Sequence, residues 1–325
     1  FFPRVIIGAT TFTVVVVGAF YLFYKSGYIF RKKTSDSSSQ NTVEVEQDLE
    51  TIDEPEHKTE DPGSFTSLSS ERDPSIVSLV KLLELDDESQ LCKVLTTIAN
   101  KAAFTKGQNA VRFAGGLPVI MRLLETGSDR LRMCTASCIA NLSLNNRNQD
   151  VLKACIPTLL SLTTDPSHTH KLRLASIQAL VNLSVGGQCE EYFSQPAALQ
   201  SLFTLLGDGS TALGQQALRV LVNLSADETV TPSLLRYEVP TSFMNLLESH
   251  HTDESLLRTL SFLVNLRRAN LMTPIRAIPL HGNSFSNLFN DRASALTVAV
   301  ETLMHHGNAD IKQQARRLLV MLSAP

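Results

Sequence analysis

Leu172-Arg173-Leu174-Ala175-Ser176-Ile177-Gln178-Ala179-Leu180-Val181-Asn182-Leu183-Ser184 is the stretch on which the reading of this chain turns. Apolar residues nearly surround a helix drawn through it, and such a helix must be covered on most of its sides. Its closing tripeptide recurs. Asn-Leu-Ser stands at Asn141, Asn182 and Asn223, each 41 residues after the last. Asn100 lies 41 residues before the first, and Asn265 lies 42 residues after the third, in Asn265-Leu266-Arg267. A second motif precedes each of these stretches: Gly116-Leu117-Pro118-Val119-Ile120, Ile156-Pro157-Thr158-Leu159-Leu160, a looser Ala197-Ala198-Leu199-Gln200-Ser201, and Val239-Pro240-Thr241-Ser242-Phe243. Pro suits the first turn of a helix, where its missing N–H costs nothing. A Gly or polar residue before it ends the preceding helix.

Each unit thus reads as a short first helix, a second helix opened by Pro, and a long third helix ending at Asn. Third helices are expected near 87–102, 129–144, 169–185, 210–226 and 253–268. A final degenerate unit carries Leu296, Val300 and Leu303 on one helix and Ile311, Ala315, Leu318 and Leu322 on another. The segment 270–284, with Pro274 and Pro279, breaks the register and reads as a loop or a disrupted first helix. A period near 41 with three helices is the armadillo pattern, with two-helix HEAT repeats its nearest rival. The expected fold class is an all-α, armadillo-type α-solenoid of about six repeats over residues 75–325, each unit stable only when stacked on its neighbours.

The N-terminal portion reads differently. Val5 to Tyr24 carries no charge and is long enough for a transmembrane helix, since twenty helical residues span about 30 Å. Arg4 alone precedes it, while Lys25, Arg31, Lys32 and Lys33 follow, so the positive-inside rule places the C-terminal side in the cytosol. A cleaved signal peptide would carry its basic cluster on the other flank. Residues 1–33 are expected to form this anchor and its basic flank. The sequence opens on Phe1, so at least one residue is expected to precede it. Residues 34–74 hold nine acidic residues between Glu44 and Asp61, too polar a stretch to order itself. As a flexible acidic linker it would reach roughly 35–40 Å.

Composition and motifs exclude several functions. A formal net charge of −3 argues against a nucleic-acid binder, which usually presents a basic face. The five cysteines are odd in number and irregularly spaced, so no disulfide framework is expected. Cys134 and Cys138 share a helix face, but no further ligand is spaced to join them. His168/His170, His250/His251 and His305/His306 stand among polar residues and read as solvated. No phosphate loop, nucleophile elbow or carboxylate pair appears, so no enzyme, cofactor, metal site or small-molecule substrate is expected. The Asn-Leu-Ser tripeptides are formal glycosylation sequons, but they fall in packed helices.

Two readings of the repeated Asn stay open. An Asn amide carries donors and acceptors, so a ladder of them on the concave face could pair with the backbone of an extended peptide. Alternatively, each Asn satisfies a neighbouring turn within the stack. The candidate protein-binding residues are Asn100, Asn141, Asn182, Asn223 and Asn265, with Ser137, Gln178, Arg219 and Ser261 one turn earlier. Peptide-binding armadillo proteins of the importin-α type carry Trp at that earlier position. Its absence here, Thr96 included, argues against nuclear import.

The anchor, basic flank, acidic spacer and repeats together resemble the vertebrate armadillo-repeat X-linked family and its autosomal relative. Asn100-Lys101-Ala102-Ala103-Phe104, Gly115-Gly116-Leu117-Pro118, Leu221-Val222-Asn223-Leu224-Ser225 and Leu256-Leu257-Arg258-Thr259-Leu260 carry the likeness. The resemblance implies a single-pass protein of the outer mitochondrial membrane, its C-terminal domain in the cytosol. It implies an adaptor in mitochondrial distribution and dynamics that associates with the Miro GTPase and kinesin adaptors. The alternative it implies is an endoplasmic-reticulum or nuclear regulator of growth, survival and transcription.

Overall fold

A computed structural model describes residues 73–186, 189–207, 209–272, 282–290 and 295–323. The expected membrane segment, its basic flank and the linker up to residue 72 lie outside the described residues. Among the described residues no helix is long and apolar enough to cross a membrane.

The described residues are helical, with one isolated bridge between Glu238 and Ser284 and no strand. The first unit contributes α1 (Pro74–Lys81) and α2 (Glu88–Lys101). Complete units follow: α3 (Thr105–Phe113), α4 (Gly116–Leu123) and α5 (Asp129–Leu142); α6 (Asn146–Leu152), α7 (Ile156–Thr164) and α8 (His170–Leu183); α9 (Glu190–Phe193), α10 (Pro196–Leu206) and α11 (Ala212–Ser225). The next unit has α12 (Thr231–Arg236), a 3-10 turn at Phe243–Leu247 and α13 (Asp253–Met272). The last has α14 (Phe285–Asn290), α15 (Ala295–Leu303) and α16 (Ala309–Leu322). The third helices α2, α5, α8, α11, α13 and α16 pack side by side in chain order as one continuous layer.

Local chemistry sets these boundaries. Every third helix opens on a side-chain N-cap: Asp87, Ser128, Thr169, Thr211, Thr252 and Asn308 each accept a hydrogen bond from the first helical turn. Gly115 closes the turn between α3 and α4 at φ 72°, a left-handed conformation that suits glycine. Gly116 lets α4 approach α1, since a Cβ there would stand 2.8 Å from a Val80 methyl and 3.0 Å from a Val111 methyl. The core is aliphatic: Leu95, Ile139, Leu142, Ile177, Leu180, Leu183, Leu221 and Leu224 are wholly buried. Fourteen-residue helices such as α5 and α8 are marginal alone. Burying each large aliphatic side chain between neighbours contributes about 1.5–3 kcal/mol.

The structure refines four sequence expectations. The looser second helix is opened by Pro196, not by the Ala pair after it. Pro240 opens no helix, because the segment before it is held in extended pairing: Val239 N–H donates to Asn283 O at 2.8 Å and Phe285 N–H to Tyr237 O at 3.2 Å. The third helix expected to end at 268 runs on to Met272, and α14 supplies the missing first helix at Phe285–Asn290. Aromatic rings fill this irregular junction. Phe203 stacks on Tyr237 at 4.6 Å and on Phe285 at 5.7 Å between centroids, and Phe243 and Phe262 pack edge-on to it. His168 is also not simply solvated: its Nδ1 lies 2.9 Å from Asp129 Oδ1, bridging two repeats.

Candidate binding face of the third helices

A helix ends with carbonyls that have no partner inside it. Here the following repeat supplies one. Asn141 Nδ2 donates to Ala99 O at 2.9 Å, Asn182 Nδ2 to Ala140 O at 2.7 Å, and Asn223 Nδ2 to Val181 O at 3.0 Å. Each acceptor belongs to the residue just before the preceding Asn. The serine of the tripeptide closes on the same carbonyl from its own repeat: Ser143 Oγ donates to Ala140 O at 2.9 Å and Ser184 Oγ to Val181 O at 2.8 Å. The intervening Leu142, Leu183 and Leu224 point into the core and are wholly buried. The tripeptide is thus a backward-reaching donor, a core plug and a local cap. Asn265 continues the row with a bond to Ser225 Oγ at 3.1 Å. Asn100 has no preceding third helix, and its side chain makes no hydrogen bond among the described residues.

Asn141, Asn182 and Asn265 each use one N–H on their neighbour, whereas Asn223 Nδ2 donates to Ser184 Oγ at 3.0 Å as well. The Oδ1 atoms of Asn141, Asn182, Asn223 and Asn265 accept no hydrogen bond among the described residues. The stitch holds the amide plane and leaves an acceptor uncommitted at each position, and a second N–H at Asn141, Asn182 and Asn265. One turn earlier, Ser137 is half-buried, Gln178 is exposed, and Ser261 Oγ bonds back to Leu257 O at 2.7 Å. Thr96 is exposed and bonds back to Cys92 O at 2.7 Å. Residues three, four and seven apart share a helix face, so these side chains flank the Asn row.

Arg219 departs from this polar pattern. Its Nη2 donates to Glu254 Oε1 at 3.3 Å, across to the next repeat. Arg258 Nη2 meets the same oxygen from one turn further along α13.

Sequence reasoning missed a second set of ties. Gln108 Nε2 donates to Ala102 O at 2.9 Å and Asn141 O at 3.2 Å. Gln149 repeats this, to Ser143 O at 2.7 Å and Asn182 O at 3.2 Å. Both glutamines are buried and finish the carbonyl ends that the Asn row leaves. Their signal was present, since each lies eight residues after a repeated Asn. At the opposite helix ends, Glu88 accepts from Ser128 N–H at 2.9 Å and Asp129 from Thr169 N–H at 2.8 Å. The Ser128 hydroxyl and N–H hold the Glu88 carboxyl below the usual carboxylate range; the Thr169 N–H, then His168, do so for Asp129.

The remaining reactive side chains are placed for packing. Burial pushes the Cys155 thiol up to about 12, and burial with the neighbouring Cys92 pushes Cys134 up to about 11. None of the five cysteines forms a disulfide. No group of three His, Cys, Asp or Glu among the described residues could hold a metal ion. A cavity of about 490 Å³ opens between α3 and α6, beside Asn109, Leu144 and Asn145. Two of its amides are paired with each other, Asn145 Nδ2 donating to Asn109 Oδ1 at 2.9 Å.

A family model described as armadillo-like matches residues 73–276. Among solved structures, the chain is similar to a designed armadillo repeat protein, YIII(Dq)4CqI, at 18% identity and a TM-score of 0.62, over 76% of this chain and 100% of that one. A second designed armadillo repeat protein, YIII(Dq.V1)4CPAF in complex with the peptide (KR)4, matches at 16% identity and a TM-score of 0.59, over 76% of this chain and 99% of that one. A third match, to computationally designed armadillo repeat proteins for modular peptide recognition, has 17% identity and a TM-score of 0.59, over 76% and 99% of the two chains.

Proposed function

Because the chain belongs to the armadillo-like family, we propose that it is a protein-interaction scaffold whose third-helix face receives an extended segment of a partner. The observation that carries this reading is the row of Asn amides, each oriented by bonds to the preceding repeat and each keeping its acceptor for another backbone, with a donor kept as well at Asn141 and Asn182. The fold is one that typically binds proteins without turning over a substrate.

The same proposal sets the scaffold on a membrane. Val5–Tyr24 serves as a single-pass anchor, and the basic residues after it keep the solenoid in the cytosol. The family likeness of the repeats supports the outer mitochondrial membrane as the site. There the scaffold would regulate mitochondrial distribution by recruiting transport machinery, the Miro GTPase and kinesin adaptors among the partners.

Proximity labelling from the intact chain tests this, beside a 34–325 truncation and a Ser137→Tyr, Gln178→Tyr variant that fills the third-helix face. Transport components should be enriched by the intact chain and lost from both variants, with the truncation leaving the organelle. Labelling without transport components, or a truncation that keeps its location, refutes the membrane and transport reading. Partners that persist with the filled face refute the binding face.

A further inference from the structure

The six third helices carry an uneven charge pattern. Their carboxylates, Glu88, Asp129, Asp253, Glu254 and Asp310, all lie at the first or second helical position. From the third position on, every charged residue of this layer is a cation. Acidic first turns suit the helix dipole, but the dipole does not explain cations in mid-helix. The chain as a whole has a formal net charge of −3, so the layer opposes the overall balance.

The cations gather on the Asn side of the C-terminal repeats. Arg219 lies four residues before Asn223, Arg258 seven before Asn265, and Arg268 three after it. In the last repeat Met321-Leu322-Ser323 stands where Asn-Leu-Ser stands elsewhere, and Arg317 lies four residues before Met321. The register is fixed physically, since Arg267 Nε donates to Met321 O at 3.0 Å. These spacings put the four arginines on one face of three adjacent helices.

Glu254 shows how that face is used. Its side chain is 62% exposed, while those of Arg219 and Arg258 are 27% and 17% exposed. Two largely covered guanidiniums from neighbouring repeats therefore converge on one outward carboxylate oxygen. Because the carboxylate stands at the surface, a competing carboxylate can exchange with it. Arg219 Nη1 also donates to Gln216 Oε1 at 3.4 Å, within its own helix.

We infer that the C-terminal third-helix face takes an acidic peptide, with Asp or Glu side chains seated on the Arg219–Arg258 pair and Glu254 acting as the internal occupant they displace. This rests on the third-helix face being the peptide-binding surface. It narrows the partner to a segment rich in carboxylates and rejects a basic one.

Fluorescence anisotropy with the full chain tests this, using labelled (DE)4, its amide analogue (NQ)4, and (KR)4. At low salt (DE)4 should bind about 10-fold or more tighter than (NQ)4, an advantage that salt screens. The (KR)4 peptide should not bind. Arg219→Gln with Arg258→Gln should bring (DE)4 down to the (NQ)4 level. Glu254→Gln should strengthen (DE)4 by about 2–5-fold, the range of one exposed ion pair, a gain that misfolding cannot imitate. Equal binding of (DE)4 and (NQ)4, both weakened by Ser137→Tyr and Gln178→Tyr, overturns the acidic preference and leaves the binding face standing. Displacement of (DE)4 by millimolar inorganic phosphate overturns it in favour of a simple anion site. Failure of every peptide to bind overturns both readings.

Discussion

Asn182 offers the sharpest test of the stitching between repeats. It is 9% exposed, and its Nδ2 donates at 2.7 Å to Ala140 O, a carbonyl at the end of α5. Replacing it by Ala removes that donor and leaves Ser143 Oγ, at 2.9 Å, to meet the carbonyl. Because one partner survives, the cost should be about 1–2 kcal/mol, a lost hydrogen bond plus partial desolvation. Asn182→Asp keeps the shape but turns a donor into a charged acceptor facing a carbonyl oxygen. At neutral pH that should cost about 3 kcal/mol or more, since the charge is buried and unpaired. The aspartate differs from alanine in one further respect. Burial raises its folded pKa above the unfolded value of about 4. The folded variant then binds its proton more tightly than the unfolded chain. Its deficit is full above the folded pKa and shrinks as pH falls toward the unfolded value. Urea unfolding followed by far-UV circular dichroism measures all three proteins. Their denaturant slopes should match while the midpoints separate. An Asn182→Asp protein as stable as wild type at neutral pH, or an Ala deficit below about 0.3 kcal/mol, would refute the reasoning, because either result removes the stitch from the energetics.

Gly116→Ala should destabilise by about 1–3 kcal/mol, because its Cβ meets the Val80 and Val111 methyls where α1 and α4 cross; thermal unfolding checks this. Acid titration should show the Asp129 and Glu88 ties. Both folded pKa values are depressed, so the stability they add is present above about pH 4 and lost as pH falls through the folded values. An Asp129→Asn variant should therefore differ from wild type at neutral pH and converge with it in acid. Iodoacetamide at neutral pH should leave Cys134 and Cys155 unmodified in the native chain and alkylate both in urea, as intact-mass and peptide mapping would record; rapid native labelling would contradict their raised pKa values of about 11 and 12.

Much of this architecture was legible because one tripeptide performs a physical task in each repeat. Asn-Leu-Ser recurs at fixed spacing since the carbonyl it satisfies recurs with it. The N-caps at Asp87, Ser128, Thr169, Thr211 and Thr252 follow nearly the same spacing and could have fixed the third-helix starts to a residue. Three features went unread, the first despite a local signal and the other two because their causes lie far along the chain. α13 overruns its expected end because Arg267 to Met272 contains good helix formers and no breaker before the residues preceding Pro274. Pro240 resembles its counterparts in sequence, but pairing of Val239 with Asn283, 44 residues away, decides its conformation. His168 looks like a surface histidine until the fold brings Asp129 beside it. The candidate binding face was only half legible. The Asn positions announced themselves by periodicity, whereas the convergence of Arg219 and Arg258 on Glu254 depends on how two helices lie together.

The Asn ties share one polarity: each amide donates toward the N-terminus. A newly made unit therefore emerges from the ribosome with a helix-end carbonyl met at most by its own serine, and the unit translated next supplies the amide donor. Shortening the protein from its N-terminal side would strand donors that water can serve. Shortening it from the other side would strip acceptors of their covering neighbour. Folding of this array is in that sense a one-way zipper, each tooth locked by its successor.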